Sequence, residues 1–139
     1  MSEQGWTRYP PPESEEAEPF WEATREGRLI CQWCDDCAAP VHYPRAVCPR
    51  CLGEKLSWKP LTGAGEVYTF TVLPSAAQKG LAAFAPYVVA LVDLDGGPRF
   101  YSNVVGCDPD EVRIGMRVEL TWEELEDGRQ LPLFRPAAG

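Results

Sequence analysis

Four cysteines in two close pairs are the side chains of this sequence best suited to chemistry. Their spacing is Cys34-x2-Cys37-x10-Cys48-x2-Cys51. Each pair presents two sulfurs from one tight turn, and two such turns together supply four thiolates in a tetrahedron, the geometry that Zn²⁺ accepts without penalty. A site with four sulfur ligands leaves no coordination position open, so the spacing predicts a structural zinc ion rather than a catalytic one.

These cysteines allow three other interpretations. Cys31 and Cys34 also form a CxxC pair, but Cys31 lies in an apolar run while Asp35 and Asp36 suit a turn, so we expect Cys31 to be a small core residue. Iron in the same cage would make the chain an electron carrier, which a visible absorption spectrum tests. Redox dithiols are disfavoured because redox CxxC motifs usually occur singly beside a βαβ pattern, which this sequence lacks.

Short strands and one short helix are the elements that must position these sulfurs. Residues 28–60 predict strand, turn, strand, turn, strand, with strands at residues 29–33, 41–43 and 56–58. Before them, Pro19 suits a first helical turn and Gly27 suits a helix end, which predicts a two-turn helix over residues 19–26. A break rich in glycine and proline at residues 59–65 predicts a subdomain boundary.

Five further runs with strand character follow that break, at residues 66–73, 87–95, 99–105 and 116–123, with residues 130–135 as a possible edge piece. In the fourth run, apolar and polar residues alternate from Met116 to Glu123, as in a half-buried strand. Residues 95–98 predict a hairpin turn. Strands of this length with no long helix suit a five-stranded barrel of the OB type, so the predicted fold class is mainly β.

Composition and charge limit the class of function. The chain has 139 residues and a formal net charge of -8, so it lacks the usual attraction to nucleic acid or to an anionic membrane surface. It has no apolar run near the ~20 residues of a membrane helix, and we expect a cytoplasmic protein. The predicted organisation is an acidic, proline-rich tail or linker at residues 1–18, a helix with a metal ribbon at residues 19–60, and a barrel at residues 61–139.

Recognisable catalytic motifs are missing from the sequence. His42 is the single histidine, and a surface or supporting role is the simpler interpretation of it. Cys107 has no basic neighbour in the sequence to lower its pKa, so it is interpreted as structural. No dinucleotide, P-loop or HExxH motif occurs. The residues therefore indicate a binding or assembly module rather than a complete enzyme.

Over residues 20–136 the sequence resembles a family of acyl-CoA-associated OB-fold proteins that was first classified only as a domain of unknown function. The motifs that carry the resemblance are Phe20-Trp21-Glu22, Glu26-Gly27-Arg28-Leu29, the two cysteine pairs, Gly63-Ala64-Gly65-Glu66-Val67-Tyr68-Thr69-Phe70-Thr71, and Pro132-Leu133-Phe134-Arg135-Pro136. Ala38 departs from the family, which often has glycine there. The resemblance implies an N-terminal helix, a rubredoxin-like zinc ribbon and a C-terminal OB barrel.

The resemblance also implies a function. Members of the family are accessory subunits of thiolase-superfamily enzymes that act on acyl-CoA, and the partner carries the catalytic residues. Similar members support a retro-aldol lyase that cleaves a steroid-CoA side chain to propionyl-CoA and a 17-ketosteroid, which is our leading expectation, with two copies of each chain. Acetyltransferase and hydroxymethylglutaryl-CoA synthase complexes are the alternatives. Some members share a chain with a hot-dog-fold enoyl-CoA hydratase.

Residue roles follow from this expectation. Phe20 and Trp21 offer apolar surface that can dock on the chain's own core or on a partner, and both choices stay open. The positive charges that could meet the phosphates of acyl-CoA are Arg45, Lys79 and Arg99, followed by Arg50, Arg113 and Arg117. An OB-fold nucleic-acid module that stacks bases on Tyr68, Phe70 and Tyr101 is the alternative of another class, and the acidic charge balance weighs against it.

Overall fold

A helix, a three-stranded sheet and a five-stranded barrel follow one another along the chain. The computed structural model describes residues 11–12, 14–74 and 86–138. Helix α1 spans Glu18–Arg25, and a single 3-10 turn spans Pro109–Glu111. The strands are β1 Ile30–Cys34, β2 Ala39–Val41, β3 Leu56–Pro60, β4 Ala64–Leu73, β5 Tyr87–Leu94, β6 Arg99–Val104, β7 Arg117–Glu124 and β8 Gln130–Pro136. These elements confirm the predicted mainly β fold.

Helix α1 lies on the chain's own barrel. Pro19 occupies its first turn, and Gly27 adopts a φ of 72°, a left-handed conformation that lets the chain leave the helix. Phe20 and Thr24 are buried. The Thr24 hydroxyl accepts the backbone N–H of Gln130 at 3.2 Å, and the Gln130 side-chain amide donates to the Thr24 carbonyl at 2.9 Å. These bonds attach α1 to the start of β8.

The ribbon sheet has the strand order β2-β1-β3, with both pairings antiparallel. Gln32 of β1 is the central residue, paired with Val41 on one side and Trp58 on the other. Strand β2 begins at Ala39 and ends at Val41, earlier than the predicted residues 41–43. Strand β2 begins this early because the first cysteine turn ends at Ala38, which has a φ of 52°, and the backbone is extended again from Ala39.

The barrel closes in the order β4-β5-β6-β8-β7, and β7 pairs with β4. A hairpin joins β5 to β6, as predicted. Residues 130–135 were predicted as a possible edge piece, and this was wrong, since β8 lies between β6 and β7. It pairs antiparallel with β7 along its length and parallel with β6 at Val104 and Phe134.

The barrel interior is a layer of buried aliphatic and aromatic side chains. Val67, Val92, Val118 and Phe134 have 0–1% of their surface exposed. Close packing also requires Gly65, because a Cβ there would lie 2.7 Å from the backbone oxygen of Asp93. In the described part of the chain, no helix is long and apolar enough to cross a membrane.

Candidate metal centre and neighbouring groove

The two cysteine turns bring four sulfurs together at the end of the ribbon sheet. Cys34 ends β1, Cys37 follows the first turn, and Cys48 and Cys51 lie between β2 and β3. All four Sγ atoms lie within 4.8 Å of one another. The Cys34–Cys51 and Cys37–Cys48 sulfur distances are 3.7 Å and 3.9 Å. A tetrahedron with Zn–S bonds of about 2.3 Å has edges of about 3.8 Å, so the cage has the size that zinc requires.

Backbone amides of the turns point at these sulfurs. The N–H of Cys37 donates to Cys34 Sγ, and the N–H of Gly53 donates to Cys51 Sγ, both at 3.4 Å. Backbone N–H groups of Cys51 and Arg50 likewise lower the pKa of Cys48 to about 6. Such N–H groups stabilise the thiolate, which is the form that binds a metal.

Charge repulsion within the cage favours a bound cation. Hydrogen bonds with the side chains of Cys51 and Cys34, followed by burial, raise the pKa of the Cys37 thiol to about 12 in the metal-free cage. Thiolates packed this closely repel one another, and a divalent cation at their centre removes that repulsion. The donor set therefore fits a closed metal site with thiolate ligands only. Cys34 and Cys48 are fully buried, so the metal would form part of the ribbon's interior.

The two remaining cysteines lie outside this cage. Cys31 is buried, and burial raises the pKa of its thiol. Cys107 is half-buried, and its pKa is raised by burial and by the nearby carboxylates of Glu111 and Asp108. Neither thiol is activated as a nucleophile, because the thiolate is the reactive form.

His42 lies on the side of the ribbon that faces the barrel. Its ring centroid is 5.1 Å from that of Phe100 and 4.0 Å from that of Tyr43. Burial lowers the pKa of His42 to about 4, so the ring is neutral at pH 7. Its Nε2 atom is buried and has no hydrogen-bond partner among the described residues. His42 is not a member of the metal cluster.

A groove opens beside His42, between α1, residues 42–44, and strands β6 and β8. We call it the α1 groove. Its volume is about 450 Å³. The side chains that define it here are Trp21, His42, Tyr43, Tyr101, Leu131 and Pro132. None of its described lining residues carries a formal charge when His42 is neutral.

Phe20 and Trp21, the two candidate partner contacts, have different surroundings. Phe20 is 9% exposed and packs in the barrel core, with its ring 6.3 Å from that of Phe100. Trp21 is half-buried at the groove, and the guanidinium of the buried Arg129 lies 4.9 Å from its ring. The apolar surface of Phe20 is therefore largely used within the chain, while part of Trp21 stays accessible.

The basic residues expected at acyl-CoA phosphates do not all have free charge. The guanidinium of Arg99 donates to Asp93 at 2.7 Å and lies 3.3 Å from the ring of Tyr68. Arg117 is paired with Asp95. Arg45 is exposed and forms no ion pair with a described residue. Lys79 lies outside the described residues.

Two family models match this chain. The model described as "ChsH2, rubredoxin-like zinc ribbon domain" covers residues 21–57, and the model described as "ChsH2, C-terminal OB-fold domain" covers residues 58–123. A DUF35 domain-containing scaffold protein of Methanocaldococcus jannaschii is 38% identical over 103 residues, which are 72% of this chain and 72% of that protein. The chain belongs to the DUF35 family. Membership confirms the resemblance inferred from the sequence, and with it the zinc ribbon and the OB barrel.

Further relatives of this DUF35 protein have names linked to acyl-CoA metabolism. A probable enoyl-CoA hydratase alpha subunit of Thermomonospora curvata is 40% identical over 119 residues, and the chain spans only 37% of its length. The benzoylsuccinyl-CoA thiolase subunit BbsA of Geobacter metallireducens is 33% identical over 88 residues, 63% of this chain and 57% of that protein. A solved structure titled "Ltp2-ChsH2(DUF35) aldolase" superposes with a TM-score of 0.82 at 36% identity, covering 93% of this chain and 100% of that one.

Two features of this DUF35 protein were not predicted from its sequence. The α1 groove joins residues from α1, residues 42–44, β6 and β8, four segments that are distant in sequence, and no local pattern marks it. Arg129 is 2% exposed and donates to Asp127 at 2.7 Å and to the Pro11 carbonyl at 2.9 Å. Its position two residues after Asp127 was the available signal, since an aspartate and an arginine so close in a tight turn can pair.

Proposed function

We propose that this DUF35 protein is a non-catalytic accessory subunit that binds and supports a thiolase-superfamily enzyme acting on acyl-CoA. The observation that carries the proposal is the superposition on the ChsH2(DUF35) aldolase structure, which covers the whole of that chain. The benzoylsuccinyl-CoA thiolase subunit among the relatives supports the same class of partner. The reaction we favour is retro-aldol cleavage of a steroid-CoA side chain to propionyl-CoA and a 17-ketosteroid.

The chemistry of the described residues agrees with a supporting role. His42 is the single histidine of the chain, and it is neutral and packed against Phe100. The Cys107 thiol has a raised pKa. Neither residue forms the hydrogen-bonded pair of nucleophile and base that acyl chemistry needs. We therefore assign the catalytic residues to the partner.

We propose that Cys34, Cys37, Cys48 and Cys51 bind one zinc ion, which holds the ribbon in shape for the partner. Division of the chain at residues 1–18, 19–60 and 61–139 belongs to this proposal. We also propose that the protein forms a cytoplasmic complex with two copies of each chain. A hot-dog-fold hydratase domain on the same polypeptide is a further part of the proposal, and the hydratase relative supports it.

Contacts with the partner and with CoA are assigned from exposure and pairing. Trp21 keeps part of its ring accessible and remains the proposed partner contact, whereas Phe20 supports it from the core. Arg45 is the proposed phosphate contact because its charge is not engaged by a described carboxylate. Arg99 is a weaker candidate because Asp93 already neutralises it. Lys79 stays a prediction from the sequence.

The test is reconstitution with a thiolase homologue from the same organism. Size-exclusion chromatography with light scattering should give the mass of two copies of each chain. The mixture should release propionyl-CoA from a steroid-CoA that carries a 17-hydroxyl group, and neither component alone should do so. Acetyl-CoA and acetoacetyl-CoA, supplied in parallel, test the acetyltransferase and hydroxymethylglutaryl-CoA synthase alternatives. Turnover of a thioester by this chain alone, or elution of two separate peaks, would contradict the proposal.

A further inference from the structure

We propose that Cys51 is a site of oxidation by peroxide, and that Cys34 completes the reaction by forming a disulfide with it, so that the metal cage opens under oxidising conditions. This reactivity belongs to the chain's own sulfurs and does not depend on the proposed function. Three features of the cage point to it, namely the unequal exposure of the four ligands, the open flank of Cys51 and the position of Cys34 beside it.

The four ligands of the cage differ in exposure. Cys34 and Cys48 have 0% of their surface exposed, and Cys37 is half-buried. Cys51 is exposed, and it is the single exposed residue among the six cysteines of the chain, all of which the structure describes. A metal-bound cysteine holds its sulfur as the thiolate, which is the form that peroxide oxidises. Because oxidation follows thiolate character and exposure together, Cys51 is the cysteine that an oxidant in solution reaches first.

Little of the chain covers Cys51 on the side of the residues that follow it. Leu52 comes next in the sequence and is 73% exposed, so most of its surface faces solvent rather than the cage. Gly53 donates its backbone N–H to Cys51 Sγ at 3.4 Å and has no side chain. A Cβ built at Gly53 would lie 3.3 Å from that sulfur. Glycine at this position therefore leaves one flank of the sulfur without a covering side chain.

A second thiolate lies within reach of an oxidised Cys51, because the Sγ atoms of Cys34 and Cys51 are 3.7 Å apart. In the first step the Cys51 thiolate attacks one oxygen of hydrogen peroxide, an S–O bond forms and the O–O bond breaks, which gives a sulfenic acid and hydroxide. The Cys34 thiolate then attacks the sulfenic sulfur, the S–S bond forms, the S–O bond breaks and a second hydroxide leaves. The two sulfurs together lose two electrons, and the peroxide gains them.

Disulfide formation removes two of the four metal ligands. The remaining pair, Cys37 and Cys48, has its Sγ atoms 3.9 Å apart and cannot complete a tetrahedral site alone. The cage then no longer retains its zinc ion, and the ribbon loses the binding free energy that stabilises its small apolar cluster. Because thiols reduce disulfides by exchange, a reductant and fresh zinc reverse the change. The ribbon thus contains a redox-sensitive switch.

The test exposes the full-length zinc-loaded chain to hydrogen peroxide and follows zinc release with a chromogenic chelator. Zinc should leave together with two thiols per ion, and dithiothreitol with added zinc should restore both. Cleavage by trypsin places Cys51 alone in residues 51–55 and Cys34 in residues 29–45. Mass spectrometry should find these two peptides joined, with fragmentation assigning the bond to Cys34.

A pair of glycine variants tests the open flank of Cys51. Gly53→Ala adds a methyl group 3.3 Å from Cys51 Sγ, and it should slow zinc release by peroxide about two- to fivefold. Gly97→Ala is the matched control, because it makes the same change in the barrel, where the new Cβ meets the side chain of Leu61, and it should release zinc at the native rate. Equal rates in the two variants, each holding one zinc per chain, would contradict the assignment.

Labelling of the native chain gives a second measurement that needs no variant. With zinc bound, N-ethylmaleimide should modify Cys51 before the other three ligands, and this order tests the proposal even if Gly53→Ala does not hold zinc. Modification of a different ligand first would refute it. Oxidation of Cys107 that precedes any release of zinc, or a disulfide between Cys37 and Cys48 that leaves Cys51 a thiol, would overturn it as well.

Discussion

Loss of zinc should unfold the ribbon and leave the barrel folded. The ribbon's own apolar cluster consists of Cys34, Val41 and Cys48, with Cys37 and Leu56 packed against it. Val41 is its one fully buried aliphatic side chain, and burying a valine contributes about 1.5–3 kcal/mol. Zinc binding in peptides of this kind contributes about 10–16 kcal/mol at pH 7. The metal therefore outweighs the apolar cluster several-fold.

The barrel has a separate source of stability. Its core includes Val67, Val92, Val118 and Phe134, which lie outside the metal cage. We expect hydrogen exchange to show loss of amide protection at Val41 after chelation, with protection at Val92 retained. Metal analysis should find one zinc per chain before chelation. A colourless protein would exclude the iron-bound electron carrier.

A pair of cysteine variants gives the matched control. Cys34 and Cys31 are both buried, and only Cys34 belongs to the four-sulfur cluster. Cys34→Ala should lose zinc and ribbon protection, whereas Cys31→Ala should keep one zinc per chain. If Cys34→Ala retains stoichiometric zinc, or if the metal-free chain keeps Val41 protected, the reasoning from cage geometry and core size is refuted.

Two further predictions concern stability. Because burial lowers the pKa of His42 from 6.5 to about 4, the unfolded chain binds more protons between these values, and the free energy of unfolding should fall as the pH drops through this window. At 1.36 kcal/mol per pKa unit, the full loss of unfolding free energy is at most about 3 kcal/mol. Urea unfolding at pH 7 and pH 5.5 should show about 1 kcal/mol of this loss. The variant His42→Phe keeps every other titrating group, so it should lack the contribution of His42 to the difference between the two pH values. Gly65→Ala should destabilise the barrel by about 1–3 kcal/mol, since the new Cβ would meet the backbone oxygen of Asp93 at 2.7 Å. Gly97→Ala is its control, because the Cβ there meets flexible Leu61 methyl groups, and equal losses in the two variants in thermal unfolding would contradict the assignment.

Local patterns account for the parts of this protein that the sequence predicted well. The ligand set of the cage follows from cysteines two residues apart on tight turns, a geometry set within each turn. The alternation from Met116 to Glu123 likewise depends on a strand's own two-residue period, and it placed Val118 in the core correctly. Such features need no knowledge of distant segments.

Other features depended on which segments meet. Phe20 could serve the chain or a partner, and only the approach of Phe100 and β8 to α1 shows that it packs inside. Arg99 could meet a phosphate, but the β5–β6 register places Asp93 opposite it and supplies its counter-charge.

By itself, the sequence determined the metal cage, the strands and the family, because these depend on spacing within short segments. Only the tertiary structure decided that β8 is an inner strand, that Arg129 is buried, and that an uncharged groove lies beside His42. The physical reason is that the burial of a side chain depends on which distant segments of the chain pack against it. The Val104–Phe134 pairing and the Thr24–Gln130 hydrogen bonds join distant parts of the chain, and no local periodicity encodes them.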